Sequence, residues 1–157
     1  MKIPEFPFQQ GDLDYLCYVY AAVNLLYLRG EIKSSEGAAS KFQTALNWIA
    51  TKGNLFRATT QGMGQADVAE MLDLLKLPVD LILRPTRSEV HAASDNGALI
   101  FVKGVDWDHY TVIQATKGKR TVELFDSYGF QGFRSVHGKW FIDTMEVEIT
   151  HLFIPYR

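Results

Sequence analysis

The chain has 157 residues, a formal charge of −2 and 47% hydrophobic residues, a size and composition that suit a single domain, 1–157, with one sizeable core. No Lys/Arg cluster marks a nucleic-acid surface, and no apolar run is long enough to span a membrane. The only cysteine, Cys17, allows neither an internal disulfide nor a cysteine-based zinc site.

Pro4, Glu5 and Pro7 stand where a signal peptide would need an apolar stretch, so a cytoplasmic location is expected. Export by a route without a cleavable signal would leave no mark. Tyr18 to Leu28 is a strongly apolar run that predicts a buried helix, with Asn24 its only clearly polar member and Gly30 its stop. A second helix is predicted from Ser34/Ser35, with Ala38, Phe42, Ala45, Leu46 and Ile49 as its buried stripe and Gly53 closing it. Thr59 to Gly64 is expected to be a polar loop. Val68, Met71, Leu72 and Leu75 mark a third helix that ends at Pro78, and Val79 to Arg84 reads as a strand. Thr86-Arg87-Ser88-Glu89 has the capping-box pattern of a short helix.

From Ala98 onward the pattern turns to strands. Ala98 to Val102 is continuously apolar, as a strand covered on both faces would be. His109–Thr116 and Thr121–Ser127 read as a hairpin around a two-residue Gly118-Lys119 turn. Tyr128 to Lys139 is expected to be a loop rich in glycine and aromatics. The last strand alternates, with Met145, Val147 and Ile149 inward. Helices first and antiparallel strands after predict the α+β class.

Cys17 stands at the start of the first predicted helix, where backbone N–H groups and the helix dipole favour a thiolate. The hairpin supplies its partners. With Lys117 opposite Arg120, Thr111 lies opposite Asp126, and His109 shares the face of Thr111. His109 and Asp126 are then diagonal neighbours with Cβ atoms under about 7–8 Å apart. A register slip of one residue would separate them. An imidazole can hold a thiol as thiolate–imidazolium, and an acid fixes the ring's tautomer and charge. Cys17, His109 and Asp126 are therefore the candidate catalytic residues. Gln10 is the first choice for an oxyanion donor and Gln9 the second, with Asp14 as an alternative that orders the loop. Trp107, Tyr128 and Trp140 are candidate substrate-binding residues. His91, His109, His137, His151, Asp106 and Asp108 contain no pair with metal-ligand spacing, so neither metal nor cofactor is expected.

On these residues the chain resembles the papain-like cysteine peptidases, nearest the compact bacterial branch that includes the leader-peptide peptidase domains of bacteriocin transporters. The resemblance is carried by Gln10…Cys17 opening a buried helix, by Trp107-Asp108-His109-Tyr110-Thr111-Val112-Ile113 and by Leu124-Phe125-Asp126-Ser127. It implies a papain-like fold over nearly the whole chain, with Cys17 as nucleophile, His109 as base and acid, Asp126 as orienter and Gln10 as oxyanion donor. The chain departs from the pattern in a Gln10-to-Cys17 step one residue longer than usual. Tyr18 stands where a glycine often follows the nucleophile, which would crowd the cleft, and Ser127 stands where the leader peptidases favour proline. Asp14-x-x-Cys17 with His109-Tyr110 also resembles the ovarian-tumour deubiquitinases. The expected activity is hydrolysis of a peptide or isopeptide bond in a peptide or protein substrate, with no nucleic-acid or membrane partner and no oligomeric state implied. The rivals are a glutamine deamidase or transglutaminase-like effector using the same residues, and an inactive binding scaffold.

Overall fold

The computed structural model describes residues 7–10, 15–52, 55–117 and 120–156. Gly53, the Gly118-Lys119 turn and Asp14 lie outside them. Among the described residues the chain forms α1 (Cys17–Leu28), α2 (Ser35–Thr51), α3 (Leu55–Gln61), α4 (Gln65–Leu74), β1 (Val79–Leu83) and α5 (Arg87–Ser94). Six strands follow: β2 (Ala98–Lys103), β3 (Asp108–Lys117), β4 (Thr121–Phe125), β5 (Gly132–Val136), β6 (Lys139–Ile142) and β7 (Met145–Pro155). The class is α+β, and every strand pair is antiparallel.

The sheet order is β1-β7-β2-β3-β4-β5-β6, and β6 also pairs with the start of β7. The six strands β2 to β7 thus curl into a closed ring, and β1 remains outside as an edge on β7. Two cores follow from this curl. Inside the ring, Ile100, Val102, Ile113, Leu124, Phe133 and Ile149 pack together beneath Val90 and Ala93 of α5. On the outer face, Leu99, Phe101, Tyr110 and Val112 pack against α1, α2 and α4. Helix α1 is buried on nearly all sides between them, which is why its sequence shows almost no polar face.

Several local predictions hold. Ser34 caps α2 by accepting from the Gly37 N–H at 3.1 Å. Both halves of the Thr86/Glu89 capping box form, and Gly30 takes a φ of +74° just past α1. Three expectations fail. The segment 59–61, expected as loop, closes α3, where the Thr59 and Thr60 hydroxyls donate to the Leu55 and Phe56 carbonyls one turn back. The expected loop 128–139 contains β5 and the start of β6, joined by His137 and Gly138 with φ of +48° and +82°. Positive φ at both central residues belongs to a tight hairpin turn. Met145, expected inward, is exposed.

Candidate active site

Cys17 is the first residue of α1 and is partly buried. Leu16 occupies the N-cap position, where its apolar side chain makes no capping hydrogen bond, and its carbonyl accepts from both the Val19 and Tyr20 N–H groups. Tyr18 is fully buried and packs its ring edge-on against Tyr110. It points into the core, so it does not crowd the cleft as expected from its place beside Cys17.

The hairpin brings His109 and Asp126 together by a route the sequence did not reveal. Near the turn the register is one residue off the expected one, with Lys117 opposite Thr121 rather than Arg120. An irregularity between Ile113 and Ala115 then shifts it back, so Ile113 faces Leu124 and Val112 faces Phe125. Continued by one residue, this register sets Thr111 opposite Asp126. The bulge takes up the one-residue offset between the two parts of the ladder. Tyr110 and Val112 belong to the helix-facing core and Ile113 to the ring interior, so alternation puts His109 and Thr111 on the interior side.

His109 Nε2 and Asp126 Oδ1 are 2.6 Å apart, and both side chains are buried. The other carboxylate oxygen accepts the Tyr128 N–H at 2.8 Å and the Phe130 N–H at 3.2 Å. Burial disfavours charge on Asp126, but the His109 hydrogen bond and charge outweigh it. The Thr111 hydroxyl, without a hydrogen bond of good geometry, and the Tyr128 N–H add to them, so the carboxyl lies below its ordinary range. Burial likewise opposes charge on His109. The Asp126 hydrogen bond, the interaction with Cys17 and the charges of both lift its pKa to about 9. Nε2 is committed to Asp126. Nδ1, buried and without another hydrogen-bond partner among the described residues, is the nitrogen left for the Cys17 sulfur.

Aromatic rings enclose the histidine. Tyr128 stacks on the imidazole at 4.5 Å between centroids and 14° between planes, and Phe130 meets it edge-on at 6.0 Å. Both rings sit on the loop whose N–H groups bind Asp126, so one short segment fixes the carboxylate and covers its partner. Trp107 packs on Phe130 at 5.9 Å. A Cβ at Gly104 would overlap the Trp107 indole, so glycine there is what lets the ring fold back over its own turn.

A cleft of about 770 Å3 opens beside Cys17. Tyr15, Arg57, Met63, Trp107, Tyr128 and Phe130 are among the residues that line it, as are Asp106, Asp108 and the exposed Met145. Tyr110 donates its hydroxyl to the Met63 carbonyl at 3.1 Å, joining β3 to the α3–α4 connection along this cleft. Burial, followed by the Cys17 charge, pushes the Tyr110 hydroxyl well above the usual phenol range, so it stays a neutral donor. Trp107 and Tyr128 are thus cleft residues. Trp140 is not: it packs on Phe133 at 6.1 Å and His91 at 5.8 Å, and lines a separate cavity with Arg84 and Arg87. Its alternation within β6 turns it into the ring.

The two candidate glutamines separate clearly. Gln9 is exposed and donates its amide to the Pro7 carbonyl at 3.1 Å. Gln10 is buried, and its backbone N–H donates to the Ser127 carbonyl at 3.1 Å, tying it to the residue after Asp126. Met63 and Arg57 escaped the site prediction. Only the glycines around Met63, in Gly62-Met63-Gly64, hinted at an exposed backbone wall. Among the described residues no group of three or more His, Cys, Asp or Glu side chains could hold a metal ion, and no helix is long and apolar enough to cross a membrane. No protein-family model and no curated protein sequence matches the chain.

Proposed function

We propose that this chain is a papain-like cysteine hydrolase that cleaves a peptide or isopeptide bond through Cys17, His109 and Asp126. The observation that carries the reading is the buried 2.6 Å His109–Asp126 pair beside Cys17, which begins a helix at the edge of the cleft. The Cys17 sulfur attacks the substrate carbonyl, and the oxyanion is met by the Gln10 carboxamide and the Cys17 backbone N–H. His109 gives its proton to the leaving nitrogen as the C–N bond breaks, leaving an acyl-thioenzyme. Water then gives a proton to His109 and attacks the thioester. The acid product leaves as the thiolate is expelled, and His109 keeps the proton, which restores the thiolate–imidazolium pair. Asp126 holds Nε2–H throughout and balances the imidazolium.

The test is a panel of peptide vinyl sulfones and peptide amides offered to wild type and Cys17→Ala. Adduct at Cys17 together with new carboxyl and amino termini in the amides, both lost in Cys17→Ala, is the expected result. Ammonia release from glutamine without chain cleavage would move the activity to a deamidase. Neither adduct nor turnover across the panel would leave a binding scaffold.

A further inference from the structure

Asn24 is a fully buried amide in the middle of an apolar helix. Burying such a group is costly unless its hydrogen bonds are made. Here both are made to the backbone of a single residue: the Phe8 N–H donates to Asn24 Oδ1 at 2.8 Å, and Asn24 Nδ2 donates to the Phe8 carbonyl at 3.2 Å. The side chain therefore grips Phe8 as a neighbouring strand would, through donor and acceptor on one edge. The Phe8 ring adds an edge-on contact with Tyr27 of the same helix at 5.5 Å. Two residues further, Gln10 is held by the Ser127 carbonyl. The segment is thus fastened on one side to the helix that carries Cys17 and on the other to the loop that follows Asp126.

Cys17 and Asn24 are seven residues apart in α1, close to two full turns, so they lie on one face of the helix. A rigid element therefore relates the sulfur to the clamp.

We infer that Asn24 is a positioning residue for the oxyanion hole: by clamping the Phe8 backbone it sets where the Gln10 carboxamide stands relative to Cys17. This inference rests on the reading of Gln10 as the donor. By chain connectivity alone Gln10 would be a poor donor, because six residues, 11–16, separate it from Cys17. The clamp replaces that tether by two hydrogen bonds to the nucleophile's own helix. A buried asparagine in an otherwise apolar helix then has a purpose that an alanine or leucine could not serve.

Two reactions of Cys17 separate this role from a structural one. Alkylation by iodoacetamide forms no oxyanion. Acylation by 4-nitrophenyl acetate does: sulfur bonds to the carbonyl carbon, the C–O bond breaks, 4-nitrophenolate leaves, and an acetyl-thioenzyme remains. Loss of a whole oxyanion donor costs about 10²–10³ in rate, so a misplaced one should cost about 10-fold or more. Asn24→Leu is expected to slow acylation by that factor, with alkylation changed less than about threefold. Asn24→Asp keeps the acceptor for the Phe8 N–H but sets a carboxylate against the Phe8 carbonyl, and should show the same split if Asn24→Leu fails to fold. In a Gln10→Ala background either change should add nothing to the acylation loss. Equal slowing of both reactions, no slowing of acylation, or a loss that adds in full to that of Gln10→Ala would each overturn the inference. If Gln10→Ala itself leaves acylation unchanged, the donor assignment falls first, and the positioning role falls with it.

Discussion

Asp126→Asn exchanges an oxygen for an amino group in a carboxylate whose observed partners are all donors. Oδ1 faces His109 Nε2 at 2.6 Å, and Oδ2 faces the Tyr128 and Phe130 N–H groups at 2.8 and 3.2 Å. The amide has two ways to sit. With its oxygen toward His109, its amino group confronts two N–H donors and both bonds are lost. At about 1–3 kcal/mol for each unsatisfied buried group, that is roughly 2–6 kcal/mol of stability. With its amino group toward His109, Nε2 must become an acceptor, the proton moves to Nδ1, and the ring can no longer accept a proton from Cys17. A wrong tautomer of this kind costs a serine triad about 10⁴ in turnover. We expect a loss of about 10–10⁴-fold, toward the lower end, because a thiolate–imidazolium pair leans less on its third member. The electrostatic readout is independent of substrate. Burial still disfavours the His109 cation, but the Asp126 charge that helps lift it to about 9 is gone. The variant's imidazole should therefore titrate well below the wild-type value when its C–H resonances are followed from about pH 5 to 10 by NMR. A titration still near 9, or unchanged turnover at saturating substrate, would refute the reasoning.

Stability should follow the same pair. The His109 contribution is complete below its reference value of 6.5 and is lost as pH rises through about 9, whereas the Asp126 contribution is present above 3.8 and is lost as pH falls through its lowered value. The Tm gap between wild type and Asp126→Asn should therefore be widest between these two reference values and narrow above pH 9; a gap independent of pH would contradict the ion pair. Tyr128→Ala removes the ring stacked on His109, a contact of the cation–π class worth about 0.5–2 kcal/mol, and should slow Cys17 alkylation by about 2–30-fold, with Tyr128→Phe near wild type. Gly132→Ala would put a Cβ 2.7 Å from the Val122 carbonyl oxygen; parting β4 from β5 should cost about 1–3 kcal/mol in urea unfolding. Thr86→Ala removes the capping box of α5 and should cost about 1 kcal/mol without altering Cys17 reactivity.

What the sequence determined by itself is what local chemistry enforces. The apolar run after Cys17 could only be a buried helix, the caps at Ser34 and Thr86 formed where their spacing put them, and the unbroken Ala98–Val102 run became a strand covered on both faces. The meeting of His109 with Asp126 was also legible, because strand alternation confines both to one face. Yet the expected register near the turn was off by one, and the distance survives only because the bulge between Ile113 and Ala115 takes up the slip. Nothing in the local sequence marks that compensation. Tertiary structure alone decided the closing of β6 onto β7, which turned Trp140 from a cleft candidate into a core ring. It also made a hairpin of a segment whose glycines and aromatics read as loop. The pairing of Asn24 was equally invisible, since its partner Phe8 lies sixteen residues away. Periodicity and capping act within a few residues and so can be read along the chain. Strand closure and buried polar pairing are settled by which distant backbone groups come within a hydrogen bond, and that exists only once the chain has folded.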